Sequence, residues 1–175
     1  MNRRHFLGAA SAIVVSGITT SARAIVNDAP RSIAFQCTHT GDHTDVVYWA
    51  EGRYLTDATA AIEHVLRDFR TGDVHSIDHS LLDLLHSLRI SMESEDPFHV
   101  ISGYRSPKTN AALQAKSNGV ATKSLHMEGM AIDIRLPDRN IADLHRAALA
   151  LKAGGVGYYP APDFIHVDVG RVRRW

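Results

Sequence analysis

Ser124-Leu125-His126-Met127-Glu128-Gly129-Met130-Ala131-Ile132-Asp133-Ile134-Arg135 and, further on, Asp163-Phe164-Ile165-His166-Val167-Asp168-Val169 decide how the rest of the chain is read. Apolar and polar residues alternate in both. A strand sends successive side chains to opposite faces, so Ile132 and Ile134 point one way and Asp133 the other. By the same rule Ile165, Val167 and Val169 share one face, and His166 and Asp168 share the opposite one. Two such strands predict a sheet with one apolar face and one face that carries ionisable groups. His126 stands seven positions before Asp133, across Gly129, and a turn of that length can return its imidazole to the carboxylate.

Outward from this centre the period of the apolar residues changes. Phe98 to Tyr104 reads as a buried strand that ends in a turn, and Ser106-Pro107 starts a short helix with serine at the cap and proline at the first helical position. Leu81, Leu82, Leu84, Leu85 and Leu88 recur at helical spacing after Asp78, and Pro97 closes the connection that follows. An earlier helix carries Leu55, Ala58, Ile62, Val65, Leu66 and Phe69, with Thr56 or Asp57 as its cap and Thr71-Gly72-Asp73 as its end. Ile33–Cys37 and Asp45–Trp49 flank a turn-rich segment and predict a hairpin. On the other side, 140–152 is an amphipathic helix stopped by Gly154-Gly155, and 156–159 is a further strand. Helices gather early and strands late. The expected class is therefore α+β, a small antiparallel sheet with helices packed on one side.

The chain has 175 residues, enough for one domain with a real core. Its 45% hydrophobic and 22% charged content exclude a disordered chain. The formal charge is zero and no basic stripe stands out, so nucleic acid is not an expected partner; Arg171-Val172-Arg173-Arg174 is too short to change this. The single cysteine, Cys37, cannot form an intrachain disulfide and reads as a small buried residue rather than a catalytic thiol.

Residues 1–24 read as a leader, ahead of one domain over 25–175. Arg3-Arg4 precede Phe6-Leu7 and an apolar run, and Ala22-Arg23-Ala24 offers small residues where a signal peptidase cuts. The paired arginines resemble a twin-arginine export signal, which implies the twin-arginine machinery as a partner and a periplasmic destination. The competing reading is a membrane anchor, but the apolar run is well short of the roughly 20 residues that span a bilayer. Removal of 1–24 takes Arg3, Arg4 and Arg23 and no acid, leaving 16 basic against 19 acidic residues, so attachment to anionic lipid is not expected.

A catalytic zinc site takes three protein ligands from His and Asp/Glu and keeps one position open. His126, Asp133 and His166 offer such a set. A carboxylate held between two core-facing isoleucines needs a partner, which a metal would supply. Other frameworks are missing: there is no HExxH helix, no Gly-x-Ser-x-Gly elbow and no P-loop.

Ser124-x-His126-x-x-Gly129-x-Ala131-x-Asp133 followed by a distant His166 is similar to the signature of the zinc D-Ala-D-Ala peptidases. Ile101-Ser102-Gly103-Tyr104-Arg105-Ser106 and Gly154-Gly155-Val156-Gly157-Tyr158-Tyr159-Pro160 resemble, more narrowly, the murein endopeptidase K branch. The resemblance covers most of 98–175 and the leader. It implies a hedgehog-like D,D-peptidase architecture, one Zn2+ per chain on His126, Asp133 and His166, and peptidoglycan stem peptides as substrate. Arg105 would grip a substrate carboxylate, against the alternative of a surface ion pair. Ser124 would hold the bound peptide or order the turn before His126. Asp163, three residues before His166, takes the place of the general base in dipeptidase-like relatives, a carboxylate that the endopeptidase branch does not require. Asp168 is its rival, either as base or as the acceptor that orients an imidazole. The implied activity is hydrolysis of amide bonds in stem peptides or their cross-links; the alternatives are a D,D-carboxypeptidase and a non-catalytic wall-binding module.

Overall fold

The computed structural model describes residues 29–117 and 119–175, and the expected leader lies outside them. β1 (Arg31–Cys37) and β2 (His43–Ala50) form the expected hairpin, with Phe35 opposite Thr44. A further tight turn, Glu51 and Gly52 both at positive φ, returns the chain into β3 (Arg53–Tyr54). Positive φ at both central residues is the turn geometry that matches the twist of paired strands. α1 (Thr56–Val65) and α2 (His79–Ser91) follow, then β4 (Phe98–Ser102) and α3 (Pro107–Gln114). A 3₁₀ turn (Leu125–Glu128) leads into β5 (Ala131–Arg135), and α4 (Ile141–Leu151), β6 (Gly155–Tyr159), β7 (Phe164–Asp168) and β8 (Arg173–Arg174) complete the order.

The strands make one sheet in the order β3-β2-β1-β4-β5-β7-β6-β8. It is larger than the expected small sheet and only mostly antiparallel, because β1 pairs with β4 and β6 with β8 in parallel. Ile33, Phe35, Phe98, Val100, Ile132, Ile134, Ile165 and Val167 line one face and join Ile62 and Val65 of α1, the leucines of α2, and Leu144 and Ala148 of α4 in a single core. The opposite face carries Asp133 and His166. Among the described residues no helix is long and apolar enough to cross a membrane.

Three local details depart from the expected ones. α1 is preceded by Leu55, which makes no side-chain cap; neither Thr56 nor Asp57 serves, because both already lie within the helix. The helix also stops at Val65, short of Thr71-Gly72-Asp73. There the buried Asp68 competes for the backbone: its carboxylate accepts the Arg70 N–H at 3.0 Å and its carbonyl accepts from Thr71 and Gly72. At the end of α4 it is Lys152, at φ 51, that turns the chain out of the helix. Gly154 and Gly155 have another use, since a Cβ on either would fall within 2.4 Å of Asp168 atoms. The expected Ser106 cap holds, and Asp78 and Asn140 likewise each accept a backbone N–H at the start of their helices.

Candidate active site

Two strands and one turn assemble the ionisable face. β5 and β7 are neighbours, and their register sets Asp133 directly opposite His166. Cross-strand partners on one face have their side chains in contact. His126 arrives on the 3₁₀ turn, which Gly129 ends at φ +67. That conformation suits glycine, and a Cβ there would also lie 2.1 Å from the Ser76 carbonyl oxygen. The turn is held from behind: Asp78 N–H donates to the Gly129 carbonyl at 3.0 Å, and Arg105 N–H to the His126 carbonyl at 3.1 Å.

The residues after β4 are fixed in turn by the loop after α1. Tyr104 N–H donates to the Leu66 carbonyl at 2.7 Å, and a Cβ on Gly103 would come within 2.4 Å of that oxygen. Asp68 accepts from the Ser106 N–H at 2.9 Å and from its hydroxyl at 2.7 Å. Burial pushes the Asp68 carboxyl up, but bonds from Thr109, Ser106 and Arg70 outweigh it and bring it down to about 2. Residues 66–78, which carry none of the sequence motifs, therefore form the back wall of the site.

His126 Nε2, His166 Nδ1 and Asp133 Oδ1 converge. The separations are 2.9 Å from His166 to Asp133, 3.2 Å between the imidazoles and 3.3 Å from His126 to Asp133. Tetrahedral ligands at the usual zinc bond lengths stand about 3.3 Å apart. The far side of each ring fixes its proton. His126 Nδ1 faces the Gly103 carbonyl at 2.7 Å and His166 Nε2 faces Asp168 Oδ2 at 3.0 Å. Both partners can only accept, so those nitrogens donate, and once the rings are neutral the inward nitrogens present lone pairs. With no cation between them, burial would lower the His166 pKa, but its hydrogen bonds to Asp133 and Asp168 raise it. Three lone-pair donors meeting at one point fit a divalent cation, which satisfies all of them at once. Burial alone would raise the Asp133 carboxyl; while the rings are protonated and no cation is present, the His126 charge and the hydrogen bonds from both imidazoles overcome it and hold the group below the ordinary range.

His126, Asp133 and His166 open into a cavity of about 510 Å³ that Arg105, Lys123 and Ser124 also line. The Arg105 side chain is 13% exposed, with Nη2 3.8 Å from Asp133 Oδ2. Its burial lowers the guanidinium pKa, against the pull of Asp133. Arg105 Nη2 donates to Ser102 Oγ at 3.4 Å, and Nε has no hydrogen-bond partner among the described residues. It is therefore no surface ion pair. Ser124 orders the turn through its carbonyl, which accepts from Met127 at 3.0 Å; its hydroxyl makes no cap bond.

The two acids stand apart from this cavity in different ways. Asp163 sits at φ +57 on the turn into β7, with its side chain 57% exposed and paired to Arg135 at 3.4 Å. The structure does not bring it to the ligands. Asp168 is fully buried behind His166, and besides that ring it accepts from Arg173 Nη1 and Nη2 at 3.0 and 2.7 Å and from the Gly155 and Gly170 N–H groups. Burial would raise its carboxyl, but these bonds hold it down.

Sequence reasoning missed one wall. Tyr159, Phe164, Arg173 and Trp175 line the cavity. The signal was the run Gly154-Gly155-Val156-Gly157, whose bare Cα atoms make room for Asp168, Arg173 and the Trp175 ring.

The α+β scaffold presents a possible His-Asp-His metal site beside a buried arginine, and the family it matches is one of peptidases. Residues 26–175 match peptidase family M15_2, described as peptidoglycan L,D-endopeptidase MepK, and the chain belongs to that family. It is 35% identical to the peptidoglycan L,D-endopeptidase MepK of Escherichia coli K12 over 99% of this chain and 97% of that one. The probable MepK of Haemophilus influenzae is 33% identical over 99% and 95% of the two chains.

Proposed function

We propose that this chain is a zinc-dependent peptidoglycan endopeptidase, formed by one metallopeptidase domain over residues 25–175, and that it cleaves L,D amide bonds in cross-links. The observation that carries the reading is the meeting of three lone-pair donors, each at 2.9–3.3 Å from the others, beside an arginine with donors to spare. The L,D specificity rests on the printed names of the relatives.

His126, Asp133 and His166 would hold the zinc, which supplies Lewis-acid activation of the scissile carbonyl and of water. The chain's own groups do the rest. Arg105 meets a substrate carboxylate with its planar fork, and burial beside Asp133 fixes where that carboxylate lies. The Ser124 hydroxyl, free of a capping duty, bonds the bound peptide. The Gly103 carbonyl and Asp168 keep the protons on the outward nitrogens of the two imidazoles. Asp168 thus acts as a positioning residue, because its acceptor positions are already filled. Asp163 has acceptor capacity but faces solvent, so this reading gives it no proton to move.

Purified sacculi incubated with the mature protein, with and without a chelator, test the reading by mass spectrometry. Chelator-sensitive loss of cross-linked dimers is the expected result. Release of terminal D-alanine alone would make the protein a carboxypeptidase, and unchanged muropeptides with zinc bound would make it a binding module. We also assign residues 1–24 to export by the twin-arginine route toward an extracytoplasmic site, where its substrate is; lysine at both Arg3 and Arg4 is expected to leave the protein in the cytoplasm.

A further inference from the structure

Trp175 is 50% exposed, the largest ring left open at the cavity, yet its position is fixed on every other side. Its N–H donates to the Val156 carbonyl at 3.3 Å, and its carbonyl accepts from Tyr158 at 3.1 Å. The indole lies over Gly157, where a Cβ would come within 2.7 Å of the ring. The indole N–H donates to the Tyr159 hydroxyl at 2.7 Å, and Tyr159 stacks on Phe164 with centroids 4.7 Å apart. The ring centre is 5.2 Å from that of the ligand His166.

Folding does not require this exposure, since a buried indole would contribute more apolar area. A fixed ring costs no further ordering when something lies against it, which is the condition for a preformed contact surface. Its one donor is already used by Tyr159. Gly157 packs on the ring and the Arg173 guanidinium lies 5.0 Å from its centroid, so what the half-exposed ring offers the cavity is the remaining apolar surface and no hydrogen bond. The same cavity is lined by the cations Arg105, Lys123 and Arg173. The complementary ligand has carboxylates joined by a stretch of methylene groups. In a cross-linked stem peptide that is the diamino acid whose side chain carries the cross-link; a terminal alanine has only a methyl group to offer.

We propose that the face of Trp175, anchored by Tyr159, is the specificity-determining surface of the site and takes the methylene chain of the cross-linking diamino acid. This rests on the endopeptidase reading above. In the zinc-loaded full chain, Trp175→Ala is expected to raise KM for a cross-linked muropeptide dimer about tenfold or more, as loss of an aromatic anchor does, with kcat and zinc content nearly unchanged. Trp175→Phe is expected to restore most of the loss. The chain has two tryptophans, so in Trp49→Phe the indole emission comes from Trp175 alone. That emission is expected to shift when the dimer binds, within the first turnover in stopped flow. An unchanged KM in Trp175→Ala, a silent Trp175 emission, or loss of zinc together with kcat would each overturn the proposal. If the wild type cleaves no dimer at all, it is the endopeptidase reading that fails; if it does and Trp175→Ala matches it, the aromatic surface alone fails.

Discussion

Asp83 on α2 and Asp133 on β5 are both held by three side chains, and the two clusters lie at different parts of the sheet. Around Asp83 every neighbour is a donor: Arg31 at 2.7 Å, the Tyr48 hydroxyl at 2.9 Å and the Tyr54 hydroxyl at 2.8 Å. Burial would raise that carboxyl, but these three bonds bring it down. The cluster is complete as it stands and pins the hairpin to α2. Around Asp133 the inward nitrogens of His126 and His166 become acceptors once the rings are neutral, because Gly103 and Asp168 hold their remaining protons on the far side. The two clusters look alike in a list of polar contacts and differ in the balance of donors and acceptors. That balance is what separates a structural carboxylate from a ligand.

The comparison breaks most sharply at the ligands. Asp133→Ala is expected to abolish stoichiometric zinc, measured by elemental analysis, and to reduce muropeptide cleavage by about a thousandfold or more, while the fold persists. Retained zinc would place Asp133 with Asp83 as a structural group. One step back, Asp168→Asn is expected to weaken zinc binding about 10- to 100-fold in chelator competition, the effect typical of a partner that orients a ligand imidazole. Asp163→Asn, by contrast, should keep both zinc and turnover; a large loss of turnover with zinc intact would restore it as the base. Asp83→Asn should cost about 1 kcal/mol in urea unfolding, as expected when a half-buried charged acceptor is exchanged for a neutral amide, and leave zinc content and kcat alone.

The smallest effect concerns Asp68, a third carboxylate surrounded by donors. Its folded pKa is depressed to about 2, so its contribution to stability is present above the unfolded value and is lost as pH falls through the folded one. With an unfolded value near 3.9, the window runs from about pH 4 down to about 2. Asp68→Asn should flatten the acid limb of the unfolding curve in that window, seen by thermal melts at stepped pH.

Much of this was legible in the chain because it is local. Alternation around Asp133 and His166 fixed both strands and the face each residue occupies, and Ser106-Pro107 and Asp78 marked their helix starts without help from distant residues. What escaped is what depends on contact through space. β3 and β8 are two residues each, too short for any period to show. The loop around Asp68 interrupts a helical pattern that continues to Phe69, because a carboxylate bonded to Ser106, far along the chain, overrides propensity. Trp175 stood unread beside the short basic segment 171–174, and only the bare glycines of β6 hinted that a ring covers them. The base role considered for Asp163, with Asp168 as its rival, came from its resemblance to dipeptidase-like relatives, and three residues along a strand do not by themselves make proximity.

The parallel ladder between β1 and β4 bears on how the molecule comes together in time. It joins Phe35 to Phe98, Gln36 to His99 and Cys37 to Val100, and it is the strand pairing that ties the hairpin half to the half bearing the ligands. Hairpins close in about 1–10 μs, whereas a ladder that must first draw together residues 63 positions apart is slow to nucleate. On that ground the seam between the two halves is expected to be the slow step of folding. Phe98→Leu should slow refolding at this step more than it disturbs the finished site, so in this protein the speed of maturation and the chemistry of the cavity are set in different places.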